Sequence, residues 1–346
     1  MKLKRLLLFM QLPCVFLLCS CSSEAQRQFF AMDTAMSMTV CAKNAKEVLA
    51  ASEDEIMRLE DLLSRTKEDS AVSALNRGET VENSELAALT SDAIAYSDAT
   101  CGAFDITVSP IVSAWGFTED AFRVPDENEL SALLPLVGSK GISIDSDIIS
   151  LAPGVSIDLG GIAKGYASDR IAALWKENGV ESGCAALGGN VYVRGYKSDE
   201  SLWRIAVRDP RNTAGAIGVL SLNDAFAVTS GGYERYFTEN GITYHHIIDP
   251  ATGYPADSGL LSVTVVADAN GPDQEWVKPG NGTMCDAFST ALFIMGEEQA
   301  LDFWRNGGYD FDLVLVTEDG RVVITAGMAD RFEEVKDSGY TYETVS

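Results

Sequence analysis

Histidine is almost missing: His245 and His246 are the only two in 346 residues. A reaction that needs an imidazole base near neutral pH must therefore use one of this adjacent pair. Basic residues are scarce too, with 26 Lys and Arg against 51 Asp and Glu and a net charge of −25. Such an acidic excess argues against binding nucleic acid, or an anionic lipid surface, through the body of the chain. After the first twenty residues no apolar run is long enough to span a bilayer. Seven cysteines occur, but the spacings of Cys41, Cys101, Cys184 and Cys285 match neither a metal motif nor a small disulfide scaffold. Internal repeats are absent.

The start of the chain has the pattern of an export signal. Lys2, Lys4 and Arg5 precede an apolar stretch at 6–18 that is too short to favour a spanning helix. It ends in Leu18-Cys19-Ser20-Cys21, which reads as a lipidation signal with Cys21 as the acylated residue; an ordinary secretory signal with a stray cysteine is the alternative. On the first reading residues 1–20 are removed, 21–29 form a tether, 30–335 are the functional domain and 336–346 a tail. The expected location is the outer side of a membrane in a bacterial cell envelope, with the lipid as the only membrane contact.

Periodicity within the domain predicts an α+β fold of mostly antiparallel sheets with packed helices. Strands are expected at 30–43, 141–145, 148–151, 184–193, 203–207, 216–222, 225–229, 262–267, 313–317 and 322–325. Helices are expected at 45–64, 85–100, 109–117, 126–134, 161–178 and 286–295. The stretch 268–284, rich in Asn, Gly, Pro and acidic residues, is a long loop; as a surface insertion it is inert, and as a neighbour of the last helix it could be a lid.

Three segments carry chemistry. In Asp158-Leu159-Gly160-Gly161-Ile162-Ala163-Lys164-Gly165-Tyr166 a strand turns into a helix through two residues without side chains. Backbone can then approach a phosphate, with the helix dipole and Lys164 behind it; tight packing alone would also use such a turn. In Asp286-Ala287-Phe288-Ser289-Thr290, Asp286 and Thr290 are four apart and share a helical face. A carboxylate and a hydroxyl are hard ligands suited to Mg²⁺, with Ser289 able to add a third oxygen; an N-cap by Asp286 is the alternative. In His246-Ile247-Ile248-Asp249-Pro250 one imidazole precedes a turn, as a base or as a loop-orienting structural residue, with His245 as its substitute.

These segments, together with Met32-Asp33-Thr34, 70–76, Gly102-Ala103-Phe104-Asp105, Trp115-Gly116-Phe117 and Thr229-Ser230-Gly231-Gly232-Tyr233-Glu234-Arg235, occur in an order that resembles the ApbE family. The resemblance runs from about Phe30 to about Phe332. It implies a Mg²⁺-dependent transferase that splits FAD and moves FMN to a threonine of a target flavoprotein, releasing AMP. It also implies a metal held by the Ala163 carbonyl, Asp286 and Thr290, with Ser289 beside them, and FAD contacts from Met32, Ala103, Phe104, Asp105, Gly160, Gly161, Lys164, Tyr166, Ser230 and Leu260. His246, Asp286 and Lys164 become the catalytic candidates. One position departs from the pattern: Thr66 stands where many members carry an aromatic over the flavin, which would admit water and favour FAD hydrolysis to FMN and AMP. A non-enzymatic flavin-holding protein is the remaining alternative.

Overall fold

The structure, a computed structural model, describes residues 23–118, 121–269 and 280–346. One nine-stranded sheet lies at its centre. Its strands are β1 (Ser23–Ala31), β2 (Thr34–Ala42), β3 (Ser182–Leu187), β4 (Asn190–Arg194), β5 (Ala225–Gly231), β6 (Leu260–Asp268), β7 (Asp312–Thr317), β8 (Arg321–Thr325) and β9 (Thr341–Val345). They lie side by side in chain order, so each excursion leaves from one strand and returns to its neighbour. The pairs are antiparallel except β8 with β9, which run parallel.

Strand alternation sends side chains into two layers. In β5, Phe226 and Val228 join a large core beneath the helices, while Ala225 and Ala227 join a second core on the other face. In β7, Leu313 and Leu315 go one way and Val314 and Val316 the other. The large core is covered by α1 (Ala45–Leu63), α2 (Ser84–Ala99), α3 (Ala163–Glu177) and α4 (Asn281–Asn306). The second is closed by a three-stranded sheet of Trp203–Asp209, Asn212–Leu222 and Phe332–Glu334. A small third cluster forms where Trp115, Phe117 and Ile248 meet Phe237 and Tyr244 of the hairpin Tyr236–Glu239 and Ile242–His245.

The expected α+β class with mostly antiparallel pairing is observed, and six expectations are corrected. Residues 30–43 are not one strand, because Met32 and Asp33 adopt left-handed φ of 48° and 59° and reverse the chain between β1 and β2. The described part of the expected tether is strand, Ser23 pairing with Ala42 and so on down the hairpin. As an edge strand with mostly exposed side chains, it lacks the alternation that would reveal it. The run 184–193 is two strands, since Gly188 at φ 73° turns β3 into β4. The run 203–207 and 216–222 forms a separate sheet, and the tail 336–346 contributes β9. Helix α4 begins at Asn281 and continues past residue 295 through a kink at Gly296 (φ 78°, ψ 172°). Cys21, the leader and most of the 268–284 loop lie outside the described residues.

Candidate active site

The turn before α3 is fixed by side chains distant in sequence. The Asp158 N–H donates to the Ile106 carbonyl at 2.7 Å, and Arg65 Nη1 pairs with Asp158 Oδ2 at 2.7 Å. Arg65 also donates to Ser113 Oγ. Asn76 grips Ile157 twice, accepting its N–H at 2.8 Å and donating to its carbonyl at 2.9 Å. Asp158 Oδ1 accepts the Gly160 N–H at 2.8 Å, so that amide is already engaged. Among the described residues no acceptor reaches the Gly161 N–H. This amide, at the positive end of α3, is the one free to meet an anion.

Next to it, α3 and α4 cross through glycines. A Cβ on Gly165 would lie 2.3 Å from the Gly282 carbonyl oxygen and 2.6 Å from Asp286 Cβ; one on Gly282 would lie 2.8 Å from the Gly165 carbonyl oxygen. Contact this close lets each helix satisfy the other's end. Helix amides in the first turn have no partner inside their own helix. Asp286 of α4 accepts the Gly165 N–H at 2.8 Å, while Asp169 of α3 accepts those of Gly282 (2.9 Å) and Thr283 (2.8 Å) and the Thr283 hydroxyl at 2.5 Å. Burial raises the pKa of Asp169 to about 6, with the hydrogen bonds from Thr283 and Gly282 opposing it.

Asp286, Ser289 and Thr290 face this crossing. Asp286 is only 4% exposed, and burial raises its pKa, against the opposing effects of the Lys164 charge, the Gly165 amide and Asn190. Ser230 Oγ, from β5, lies 2.8 Å from Ser289 Oγ and 3.3 Å from Thr290 Oγ1. Gly161 packs against the same place: its ideal Cβ would sit 3.5 Å from Thr290 Oγ1 and 3.3 Å from the Phe104 ring. Asn190 Nδ2 donates to Asp286 Oδ1 at 3.3 Å, and its own buried Oδ1 has no partner. The donors are all oxygen, with a single carboxylate, and suit a hard cation that takes its other ligands from water and phosphate. Among the described residues no cluster of three or more His, Cys, Asp or Glu could hold a metal.

The two histidines are distinguished by their partners. His245 uses both ring nitrogens: Nε2 faces the Ala256 carbonyl at 3.0 Å and Nδ1 accepts the Ile247 N–H at 3.3 Å. It is a loop-holding residue. His246 Nδ1 lies 3.1 Å from the Arg235 carbonyl, which can only accept, so the proton is on Nδ1 and Nε2 keeps its lone pair. Burial lowers the His246 pKa to about 4, and the Lys164 and Arg235 charges add to the effect. Lys164 thus acts on both Asp286 and His246, while its Nζ stands 3.5 Å from the Gly160 carbonyl. Arg235 pairs with Asp33 and donates to the Phe117 carbonyl at 3.2 Å, tying the β1–β2 turn to the histidine loop.

The other expected residues are distributed unevenly. Met32 sits in the strained β1–β2 turn, its N–H donating to Glu60 at 2.9 Å, and Ala103 is half-buried beside Phe104. Asp105 caps a short helix, accepting the Thr107 N–H at 2.8 Å and the Thr107 hydroxyl at 2.5 Å. Tyr166 donates its hydroxyl to Glu85 at 2.9 Å, joining an ion network with Arg58. Leu260 is buried in the large core. Ala163 opens α3. Thr66 is exposed, its hydroxyl 3.1 Å from that of Ser64. Sequence reading missed Arg65, Asp169 and Asn190. Only the last had a local signal, the Gly188-Gly189 pair that splits one apparent strand and brings Asn190 to its position.

Fold and site together define an α+β protein whose helix crossing gathers a buried carboxylate and hydroxyl oxygens beside a free helix-end amide. The sequence pattern of the ApbE family matches residues 32–312, and the chain belongs to that family. The FAD:protein FMN transferase of Treponema pallidum is 30% identical, over 94% of this chain and 94% of its own length. That of Klebsiella pneumoniae is 33% identical, over 82% and 86%. Among solved structures, an ApbE protein of Thermotoga maritima has a TM-score of 0.77 and 33% identity, covering 91% of this chain and 97% of its own. The flavinyl transferase ApbE of Pseudomonas stutzeri in its apo form has a TM-score of 0.74 and 29% identity, covering 86% and 92%.

Proposed function

We propose that the chain is an FAD:protein FMN transferase, Mg²⁺-dependent, that joins FMN through a phosphoester to a threonine of a flavoprotein and releases AMP. The observation that carries this reading is the convergence of Asp286, Thr290, Lys164 and the free Gly161 amide at the start of α3. The family relationship supports it. Asp286, Thr290 and the Ala163 carbonyl would hold Mg²⁺, which supplies Lewis-acid neutralisation of the charge developing on a split anhydride.

The chain's own residues do the rest. Lys164 and the Gly161 N–H bind the diphosphate oxygens, and Phe104 walls the same spot. The acceptor threonine Oγ forms a bond to the FMN phosphorus as the bond to the AMP phosphate oxygen breaks, and AMP departs with that electron pair. The threonine proton passes to His246 Nε2, which the Arg235 carbonyl keeps in the accepting tautomer and burial keeps unprotonated at neutral pH. In such displacements positioning and charge neutralisation do most of the catalysis, consistent with a turn braced before ligand arrives.

Incubation with FAD, Mg²⁺ and a threonine-bearing flavoprotein should yield protein-bound flavin and matching AMP; absence of AMP would reject the reading. The exposed Thr66 favours a second activity, hydrolysis of FAD by water, seen as AMP and free FMN when the acceptor is omitted. The leader supports export and acylation of Cys21. Because Ser23, two residues on from Cys21, pairs with Ala42, such an anchor would hold the sheet edge close to the bilayer. No described helix is long and apolar enough to cross a membrane. Substituting Cys21→Ala should release the protein from the membrane fraction.

A further inference from the structure

We propose that Asn190 is a positioning residue for the cation site: its amide fixes the carboxylate of Asp286 in the orientation that faces the ion. This rests on the reading of Asp286 as a cation ligand. Asn190 is the first residue of β4 and is bonded on both sides, its register set opposite Leu187 of β3 and Val228 of β5. The Gly189 carbonyl accepts the Thr229 N–H at 2.9 Å, and a Cβ at Gly189 would lie 2.7 Å from the Thr229 carbonyl oxygen. The backbone beneath Asn190 therefore has little freedom. Alternation places its side chain on the same face as Val228 and Ser230, the face covered by α4.

The orientation of the amide follows from its neighbour. A carboxylate only accepts, so the end facing Asp286 must be Nδ2, and Oδ1 is turned elsewhere. There it is buried with no partner. An unpartnered buried carbonyl is unfavourable; an isosteric leucine would avoid it. A side chain present only for packing would not carry that cost, whereas one that must hold a ligating carboxylate would. Residues that orient metal ligands in this way typically change metal affinity by about 10–100-fold when replaced.

The test uses the protein without FAD. Mn²⁺ alone is titrated by electron paramagnetic resonance against wild type, Asn190→Leu and Asn190→Ser, and thermal melting of each is recorded without metal. The expected result for Asn190→Leu is a cooperative melt, showing a folded protein, with Mn²⁺ binding weakened about 10–100-fold. Asn190→Ser, which folds around a shorter polar side chain, should show the same weakening. Unchanged Mn²⁺ affinity in either folded variant overturns the proposal, as does a lower melting temperature of Asn190→Leu with affinity retained, which would make the residue structural. Asp286→Ala separates this outcome from failure of the underlying site: if it too leaves Mn²⁺ binding unchanged, Asp286 is not a ligand at all.

Discussion

The helix crossing and the histidine rim form two sides of one site and are built by different forces. At the crossing, glycines remove side chains from the contact and buried carboxylates bond directly to helix amides. At the rim, Trp115, Phe117, Phe237 and Tyr244 pack through ring contacts, and the hairpin leaves Tyr236 55% and Ile242 56% exposed. Asp286 and Asp169 thus sit in close backbone contact. His246 sits beside a smaller aromatic core whose outer surface faces solvent.

The largest break in this contrast should come from Gly165→Ala. With backbone 2.3 Å from the added carbon, we expect a loss of about 3 kcal/mol or more in chemical denaturation, where Ala substitution at a solvent-facing helix position would be stabilising. Asp286→Ala should leave the protein folded but reduce cation-dependent AMP release about a thousandfold; retained turnover would remove Asp286 from the site. His246→Ala should slow transfer about 10²–10⁴-fold with FAD affinity, measured by fluorescence quenching, little changed.

Acidity sharpens the contrast further. Folded Asp169 keeps its proton up to a pH of about 6, against an ordinary value of 3.8. Between these values the folded state holds more protons than the unfolded one, so this group's contribution to stability falls as pH rises. Folded His246 releases its proton near 4, against 6.5; the unfolded state then holds more, and its contribution rises with pH across almost the same window. Denaturation profiles from pH 4 to 7 should therefore tilt in opposite directions for Asp169→Asn and His246→Gln. Arg235→Lys, at an exposed pair with Asp33, should have the smallest effect, about 0.5 kcal/mol or less.

What could be read from the sequence was what is local. The Gly-Gly turn into α3, the shared face of Asp286 and Thr290, and the single histidine pair need only short-range spacing, and the structure brings these segments together. Long-range bonds were not legible. Arg65 reaches Asp158 across 93 positions and Asp169 reaches Thr283 across 114, and neither helix pattern marks those residues as special. Strand β1 escaped notice because an edge strand with both faces largely solvated has no apolar rhythm, and β9 because a parallel partner in the final residues leaves no hairpin signal.

The exchange of carboxylates between α3 and α4 also has a consequence for fluctuations. A helix end ordinarily frays first, because its amides can trade a weak partner for water. Here the partner of each end is carried by the other helix, one to two turns inside, so neither end opens unless the crossing separates as a whole. The amides of Gly165, Gly282 and Thr283 should exchange with deuterium at one common slow rate, close to that of global unfolding. On the proposed function, the Asp286 carboxylate would then be held in the part of the molecule that opens last.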